Sequence, residues 1–279
     1  GRTVGRLAYP LSGQAYTVGL TGAPGAGKST LTSATIGHRR SLDLDVAVLA
    51  IDPSSPFTGG AILGDRVRMQ DHATDPGVFI RSMATRGHLG GLALATTEAV
   101  RLLDAVGRRW VLVETVGVGQ VEVEVAGKAD TTVVVVNPGW GDSVQANKAG
   151  LLEIADVFVI NKADRDGAAA TRRDLEGMLE LSAHSAWQPP IVETIATESN
   201  GIPELVDAVA AHRAHLEASG RLDADRTTRV RRELEALVAA RFEARARAVA
   251  GTEEFEAVLT DVVARALDPA SAAARLSGC

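Results

Sequence analysis

The residues whose types and spacing suggest chemistry begin at Gly22. The stretch Gly22-Ala23-Pro24-Gly25-Ala26-Gly27-Lys28-Ser29-Thr30 has the pattern Gly-x-x-x-x-Gly-Lys-Ser. Each residue type there has a physical task. The glycines let backbone N–H groups turn inward around phosphate oxygens. A helix starting at the end of the loop adds the positive end of its dipole. Lys28 is placed to reach the β and γ phosphates, and the Ser29 hydroxyl to ligate Mg²⁺. Gly25, Ala26, Gly27 and Thr30 complete the cradle. The pattern follows an apolar run and opens a helix-like stretch, which is the context that separates a phosphate loop from a chance glycine-rich turn.

Such a loop does not choose a base. Asn161-Lys162-Ala163-Asp164, directly after the apolar run Asp156-Val157-Phe158-Val159-Ile160, does. A carboxylate at Asp164 can accept from guanine N1–H and N2–H₂. Adenine lacks both donors and would leave that carboxylate unpaired, a costly state. Ala196 and Thr197, ending the next run, are expected to supply backbone contacts to the base. The metal needs further oxygen ligands. Asp52 ends the run Val46 to Ile51, Glu114 ends Trp110 to Val113, and Asp65 lies in a loop that can fold over the metal. Gly117, just beyond Glu114, is expected to sense the γ-phosphate through its N–H. Gln120 is a candidate for orienting water, against the plainer reading of a surface glutamine. A loop that orders with the γ-phosphate and relaxes after hydrolysis is a switch.

These residues need a scaffold that brings strand ends together. Tyr16–Leu20, Val46–Ile51, Val78–Ile80, Trp110–Val113, Thr132–Val136, Val157–Ile160 and, more weakly, Ile191–Ile195 read as buried strands. Helix-like stretches such as Ser29–Arg39, Leu92–Val106 and Ala168–Leu181 separate them. The alternation predicts an α/β fold: a mostly parallel sheet covered by helices on both faces, with ligands at the carboxyl ends of its strands. After residue 220 the strands stop. Val230, Leu234, Leu237, Val238 and Phe242 keep helical spacing, as do Phe255, Val258, Leu259, Val262 and Val263. Asp268-Pro269 predicts the start of a last helix, Ala270–Leu276. The division expected is therefore a nucleotide domain over 1–220 and a helical arm over 221–279. That arm is read either as a solvated, arginine-rich appendage or as a dimerisation surface.

Composition sets the outer bounds. The chain has 279 residues, 46% hydrophobic and 23% charged, with a net charge of -6. An acidic chain is poorly suited to holding a nucleic-acid backbone. The single cysteine, Cys279, supports neither a disulfide framework nor a cysteine metal cage, and a reducing, cytoplasmic setting is expected. No apolar stretch is long enough to cross a membrane, and no leader is evident at the start.

Five segments together carry a resemblance: the phosphate loop at 22–30, Ile-Asp-Pro-Ser-Ser-Pro at 51–56, Gly-Asp-Arg-Val-Arg-Met at 64–69, Glu-Thr-Val-Gly-Val-Gly-Gln at 114–120, and Asn-Lys-Ala-Asp at 161–164. In this order they resemble the MeaB / MMAA / ArgK family of P-loop GTPases, over about residues 16 to 279. The resemblance implies a GTPase chaperone of an adenosylcobalamin-dependent acyl-CoA mutase, chiefly methylmalonyl-CoA mutase, gating cofactor loading and protecting the mutase. It implies a homodimer joined through C-terminal helices. It also implies that Ser29, Asp52, Asp65 and Glu114 surround Mg²⁺, and that Lys148 falls in a third switch that communicates with the mutase. Two features depart from the family: the short stretch before the first strand, and Trp140 where a small residue is expected.

Two other classes compete. GTPases of nickel-enzyme maturation tend to carry Cys/His clusters, whereas His38, His72, His88, His184, His212 and His215 are scattered here. A small-molecule kinase would more commonly use adenine nucleotides. No arginine finger is identifiable, so unassisted turnover is expected to be slow, about 10³- to 10⁵-fold below an assisted rate.

Overall fold

The apolar runs become strands because they are short and rich in β-branched residues, and because a helix after each can carry the chain back for a parallel neighbour. The structure, a computed structural model, describes residues 2–52, 69–84, 89–115, 128–139, 153–181 and 186–277. Its strands are β1 (Tyr16–Gly22), β2 (Val46–Asp52), β3 (Val78–Ala84), β4 (Trp110–Thr115), β5 (Thr131–Val136), β6 (Val157–Asn161) and β7 (Ile191–Thr194). Its helices are α1 (Arg2–Ala8), α2 (Lys28–Ser41), α3 (Leu89–Ala105), α4 (Ala168–Leu181), α5 (Ile202–Ala218), α6 (Arg221–Val249), α7 (Glu253–Val263) and α8 (Pro269–Ser277).

The strands form one seven-stranded sheet in the order β3-β2-β4-β1-β5-β6-β7. Every neighbouring pair is parallel. All seven runs read from the sequence are in it. Their ends differ where partners extend the pairing: β1 continues through Thr21 and Gly22 because β5 offers Val134 and Val135, and β3 continues to Ala84 alongside β2. Helix α1 is an addition to the elements expected.

Alternating side chains of each strand serve two cores, which is why the runs read as continuously apolar. On one face Tyr16, Val18 and Leu20 of β1, with Val133, Val135, Val157 and Val159, pack with Leu31 and Ile36 of α2 and Ile202, Leu205 and Val209 of α5. On the other face Leu49, Val111 and Val113 meet Leu103 of α3, while Val134, Val136, Phe158 and Ile160 meet Leu175 and Leu179 of α4. Strand β1 lies between β4 and β5, where the chain leaves to either side. A parallel sheet opens a ligand crevice at the carboxyl end of such a strand.

The chain divides into two compact units, Gly1–Asp225 and Arg226–Cys279, so the division falls inside α6. In the second unit, α7 is capped by Thr252, whose Oγ1 accepts the Phe255 N–H at 3.2 Å. Helix α8 is capped by Asp268, whose Oδ1 accepts the Ala270 and Ser271 N–H groups at 3.0 Å each. Val258 and Ala272 are buried there. Helix α6 buries no side chain. Among the described residues, no helix is long and apolar enough to cross a membrane.

Candidate functional site

The loop between β1 and α2 is shaped by glycines at two points. Gly22 has φ +137° and lies so close to β5 that a Cβ would strike the Val135 carbonyl oxygen. Gly27, at φ +91°, is the N-cap of α2, and a Cβ there would strike Asn161 Nδ2. Larger residues fit neither position. With glycine at the N-cap, no side chain caps the first turn of α2. The first-turn N–H groups of a helix so built are the groups that hold phosphate oxygens.

Lys28 is buried in this loop. Its Nζ donates to the Gly22 carbonyl at 2.7 Å and to the Ala23 carbonyl at 3.1 Å. The ammonium is thus fixed within the loop by two backbone carbonyls. Ser29, the next residue, donates from Oγ to Glu114 Oε1 at 2.6 Å. Glu114 is 0% exposed, at the penultimate position of β4. A hydroxyl and a carboxylate converging at the carboxyl edge are hard oxygen donors of the kind Mg²⁺ takes, and the pair fits that ion. Thr30 is half-buried in the same turn of α2.

Asn161 ends β6, two strands away from β1. Its buried Nδ2 donates to the Ala26 carbonyl at 2.8 Å. Its Oδ1 accepts from Thr194 Oγ1 at 3.1 Å and from the Ala196 N–H at 3.2 Å. Lys162 takes a left-handed turn, φ +60°, and its Nζ donates to the Gly25 carbonyl at 2.6 Å. Asp164 and Thr197 are exposed beyond this seam. Gly25, Ala26, Gly27, Lys28, Ser29, Thr30, Glu114, Asn161, Lys162, Asp164, Ala196 and Thr197 therefore gather along one edge of one sheet. Two hydrogen bonds, from Asn161 to Ala26 and from Lys162 to Gly25, join this segment to the loop after β1.

Asp52 ends β2, paired through its backbone with Ala84; its side chain is outside the described residues, as are Asp65, Gly117, Gln120, Trp140 and Lys148. One participant was missed from the sequence. Thr194 looks like any β-branched strand residue, and only the register that sets it beside Asn161 reveals it. At the opposite edge of the sheet lies a second buried polar group. His212 Nδ1 is 2.9 Å from Thr131 Oγ1, which is 2.6 Å from the Tyr16 hydroxyl, and His212 Nε2 is 3.3 Å from Asp156 Oδ1. Burial, aided by His215 and Arg221, pushes His212 down to about 4, and burial pushes Tyr16 up to about 12.

Known proteins resemble this chain along most of its length. A putative GTPase of Pyrococcus abyssi is 54% identical over 276 residues, covering 98% of this chain and 85% of the relative. The mouse protein named methylmalonic aciduria type A homolog, mitochondrial, is 39% identical over 224 residues, 76% of this chain and 52% of the relative. The crystal structure of a LAO/AO transport system kinase superposes with a TM-score of 0.70 at 30% identity, covering 99% of this chain and 85% of that one. The model of the family described as Methylmalonyl Co-A mutase-associated GTPase MeaB matches residues 2–251. With its phosphate loop, its guanine motif and this match, the chain belongs to the MeaB family and is a P-loop GTPase.

Proposed function

We propose that this GTPase is the timing element of a chaperone for an adenosylcobalamin-dependent acyl-CoA mutase, with methylmalonyl-CoA mutase as the foremost candidate. In this reading the nucleotide state gates cofactor loading and protects the mutase. The family's description and the mouse relative's name support the partner. The observation that carries the switch is the 2.6 Å contact between Ser29 Oγ and Glu114 Oε1. It joins the hydroxyl beside the phosphates to the strand whose chain continues into Gly117 and Gln120. A change at the γ-phosphate is then felt directly at the root of that segment.

In the proposed cycle the N–H groups of residues 25–30 receive the phosphates, and Lys28 draws negative charge away from the bond that breaks. Ser29, Glu114, Asp52 and Asp65 would hold Mg²⁺, which would supply positive charge beside the phosphates. Gly117 senses the γ-phosphate, Gln120 orients the attacking water, and Lys148 relays the state toward the mutase. Asp164 selects guanine, with Asn161, Lys162, Ala196 and Thr197 shaping the base site. The helices after residue 220 join two copies into a homodimer. Supporting this, the face of α6 formed by Val230, Leu234, Leu237, Val238 and Phe242 is 43 to 65% exposed, an unusual apolar stripe for a surface helix. The setting is cytoplasmic, with no nucleic-acid or membrane partner.

The test is co-purification with an acyl-CoA mutase, coupled to GTP turnover measured with and without it. The expected outcome is a stable complex and at least a tenfold change in turnover; no complex and an unchanged rate would reject the chaperone reading.

A further inference from the structure

We propose that His72 is a positioning residue for the metal-dependent part of nucleotide binding, holding the chain between β2 and β3 against the helix that carries Lys28 and Ser29. The inference rests on the reading of Asp65, four residues before Met69, as a Mg²⁺ ligand. Met69 is 1% exposed and belongs to the same core as Leu31 and Ile36 of α2. A short turn follows, Gln70–His72, in which the His72 N–H donates to the Met69 carbonyl at 3.1 Å. The turn brings the imidazole onto α2. His72 Nε2 is 3.1 Å from the Ser33 carbonyl oxygen and 3.2 Å from Ser33 Oγ. The carbonyl only accepts, so Nε2 carries the hydrogen between them.

A second tether lies further along the same helix. Arg40 Nε donates to Asp75 Oδ2 at 2.9 Å, and the Asp75 N–H donates to the His72 carbonyl at 3.2 Å. Gly77 lets the guanidinium lie against the backbone there, since a Cβ at Gly77 would strike Arg40. Ser29, Ser33 and Arg40 follow one another at helical spacings of four and seven residues, which places them on one side of α2. The two tethers therefore give the connection a direction along the helix. From Ser33 to Arg40 the helix rises about 10 Å, and the three residues from His72 to Asp75 cover that distance. Continued backward on the same line, the connection reaches the level of Ser29, one turn and about 6 Å before Ser33. The four residues from Met69 back to Asp65 span at most about 14 Å, enough to bring a carboxylate beside the Ser29 hydroxyl. The bond from His72 to Ser33 fixes the starting point of that span. Released from it, the carboxylate would lose more conformational freedom on meeting the ion, and the ion would add less to affinity.

The test uses the full chain and GppNHp, a GTP analogue that is not hydrolysed, titrated by calorimetry with Mg²⁺ and again with EDTA. The ratio of the two affinities reads what the ion contributes. His72→Ala should shrink that ratio about three- to tenfold, the scale of one hydrogen-bonded tether, while affinity in EDTA stays within about twofold of the parent. His72→Gln, whose amide N–H can donate to the Ser33 carbonyl, should keep the ratio within about twofold of the parent. Asp65→Ala should shrink the ratio more, and His72→Ala added to it should shrink it no further, because the imidazole acts through that carboxylate. The proposal is overturned if His72→Ala leaves the ratio unchanged, even where both affinities fall together. It is overturned equally if His72→Gln is as weak as His72→Ala, or if the Asp65→Ala and His72→Ala losses multiply. Should His72→Ala fail to fold, His72→Leu, which keeps bulk and lacks the N–H, carries the same comparisons. An unchanged ratio in Asp65→Ala would reject the ligand reading itself. A diminished ratio there beside an unchanged one in His72→Ala would reject only the role of His72.

Discussion

Residues 1–225 and 226–279 treat their apolar side chains in opposite ways. In the first unit Val134, Val135, Phe158 and Ile160 are fully buried, and β6, which carries the last two, ends in Asn161 of the site. In the second, Val230, Leu234, Phe242 and Val263 are exposed, at 45 to 76%. A buried sheet fixes where its strand ends lie to within the precision of core packing. That is how Lys28, Glu114 and Asn161, far apart in sequence, come to share hydrogen bonds with one loop or its helix. An exposed apolar stripe on a helix is available to another surface. The first unit gathers polar groups at its strand ends; the second leaves an apolar stripe at its surface.

The largest effect that would break this contrast lies at Lys28. Lys28→Ala should lower GTP turnover about 10²- to 10³-fold, as loss of one preorganised charge stabiliser does elsewhere, with an unchanged circular dichroism melt. Undiminished turnover would remove the phosphate loop from catalysis. Next comes the core under the site. Leu112→Ala in β4 should cost about 3 kcal/mol of unfolding free energy in urea titrations. A cost near zero would mean the sheet is not the rigid frame described.

A smaller effect concerns the polar group at the other edge of the sheet. His212 stays neutral in the fold down to about 4 because it is buried, despite the Asp156 carboxylate at 3.3 Å. Unfolded, it takes a proton below its ordinary value of about 6.5. The unfolded chain therefore binds more protons between these values. The contribution of His212 is fully present above about 6.5 and is lost as pH falls toward 4, on the order of 2 kcal/mol. Urea midpoints across that range should fall in the parent and flatten in His212→Gln; parallel profiles would contradict the assignment. The smallest stability effect is expected in the helical unit. Phe242→Ala should change monomer stability by no more than about 0.5 kcal/mol. Leu234→Glu with Phe242→Glu should turn dimers into monomers by light scattering, and dimers that persist would reject α6 as the joining surface.

What the sequence made legible follows the same division. The parallel sheet was readable because its strands are buried on both faces and so appear as continuous apolar runs such as Val133–Val136. Once those ends were placed, the positions of Lys28, Glu114 and Asn161 at one edge followed from the strands being parallel, which puts all their carboxyl ends on the same side. The bonds between them did not follow. Asn161 to Ala26, Lys162 to Gly25 and Thr194 to Asn161 join β6 and β7 to the loop after β1, and depend on register between strands distant in the chain. Hydrophobic periodicity carries no information about such pairs. The caps of the second unit are the converse case: Asp268 was readable because a cap is a local contact.

The preference for guanine is the most direct test of how the site works. Calorimetric titration of the parent chain with GTP and with ATP, both with Mg²⁺, should show GTP bound at least 100-fold more tightly, as expected when the wrong ring leaves the Asp164 carboxylate unpaired. Equal affinity for the two nucleotides would contradict the reading of residues 161–164 as the element that selects the base.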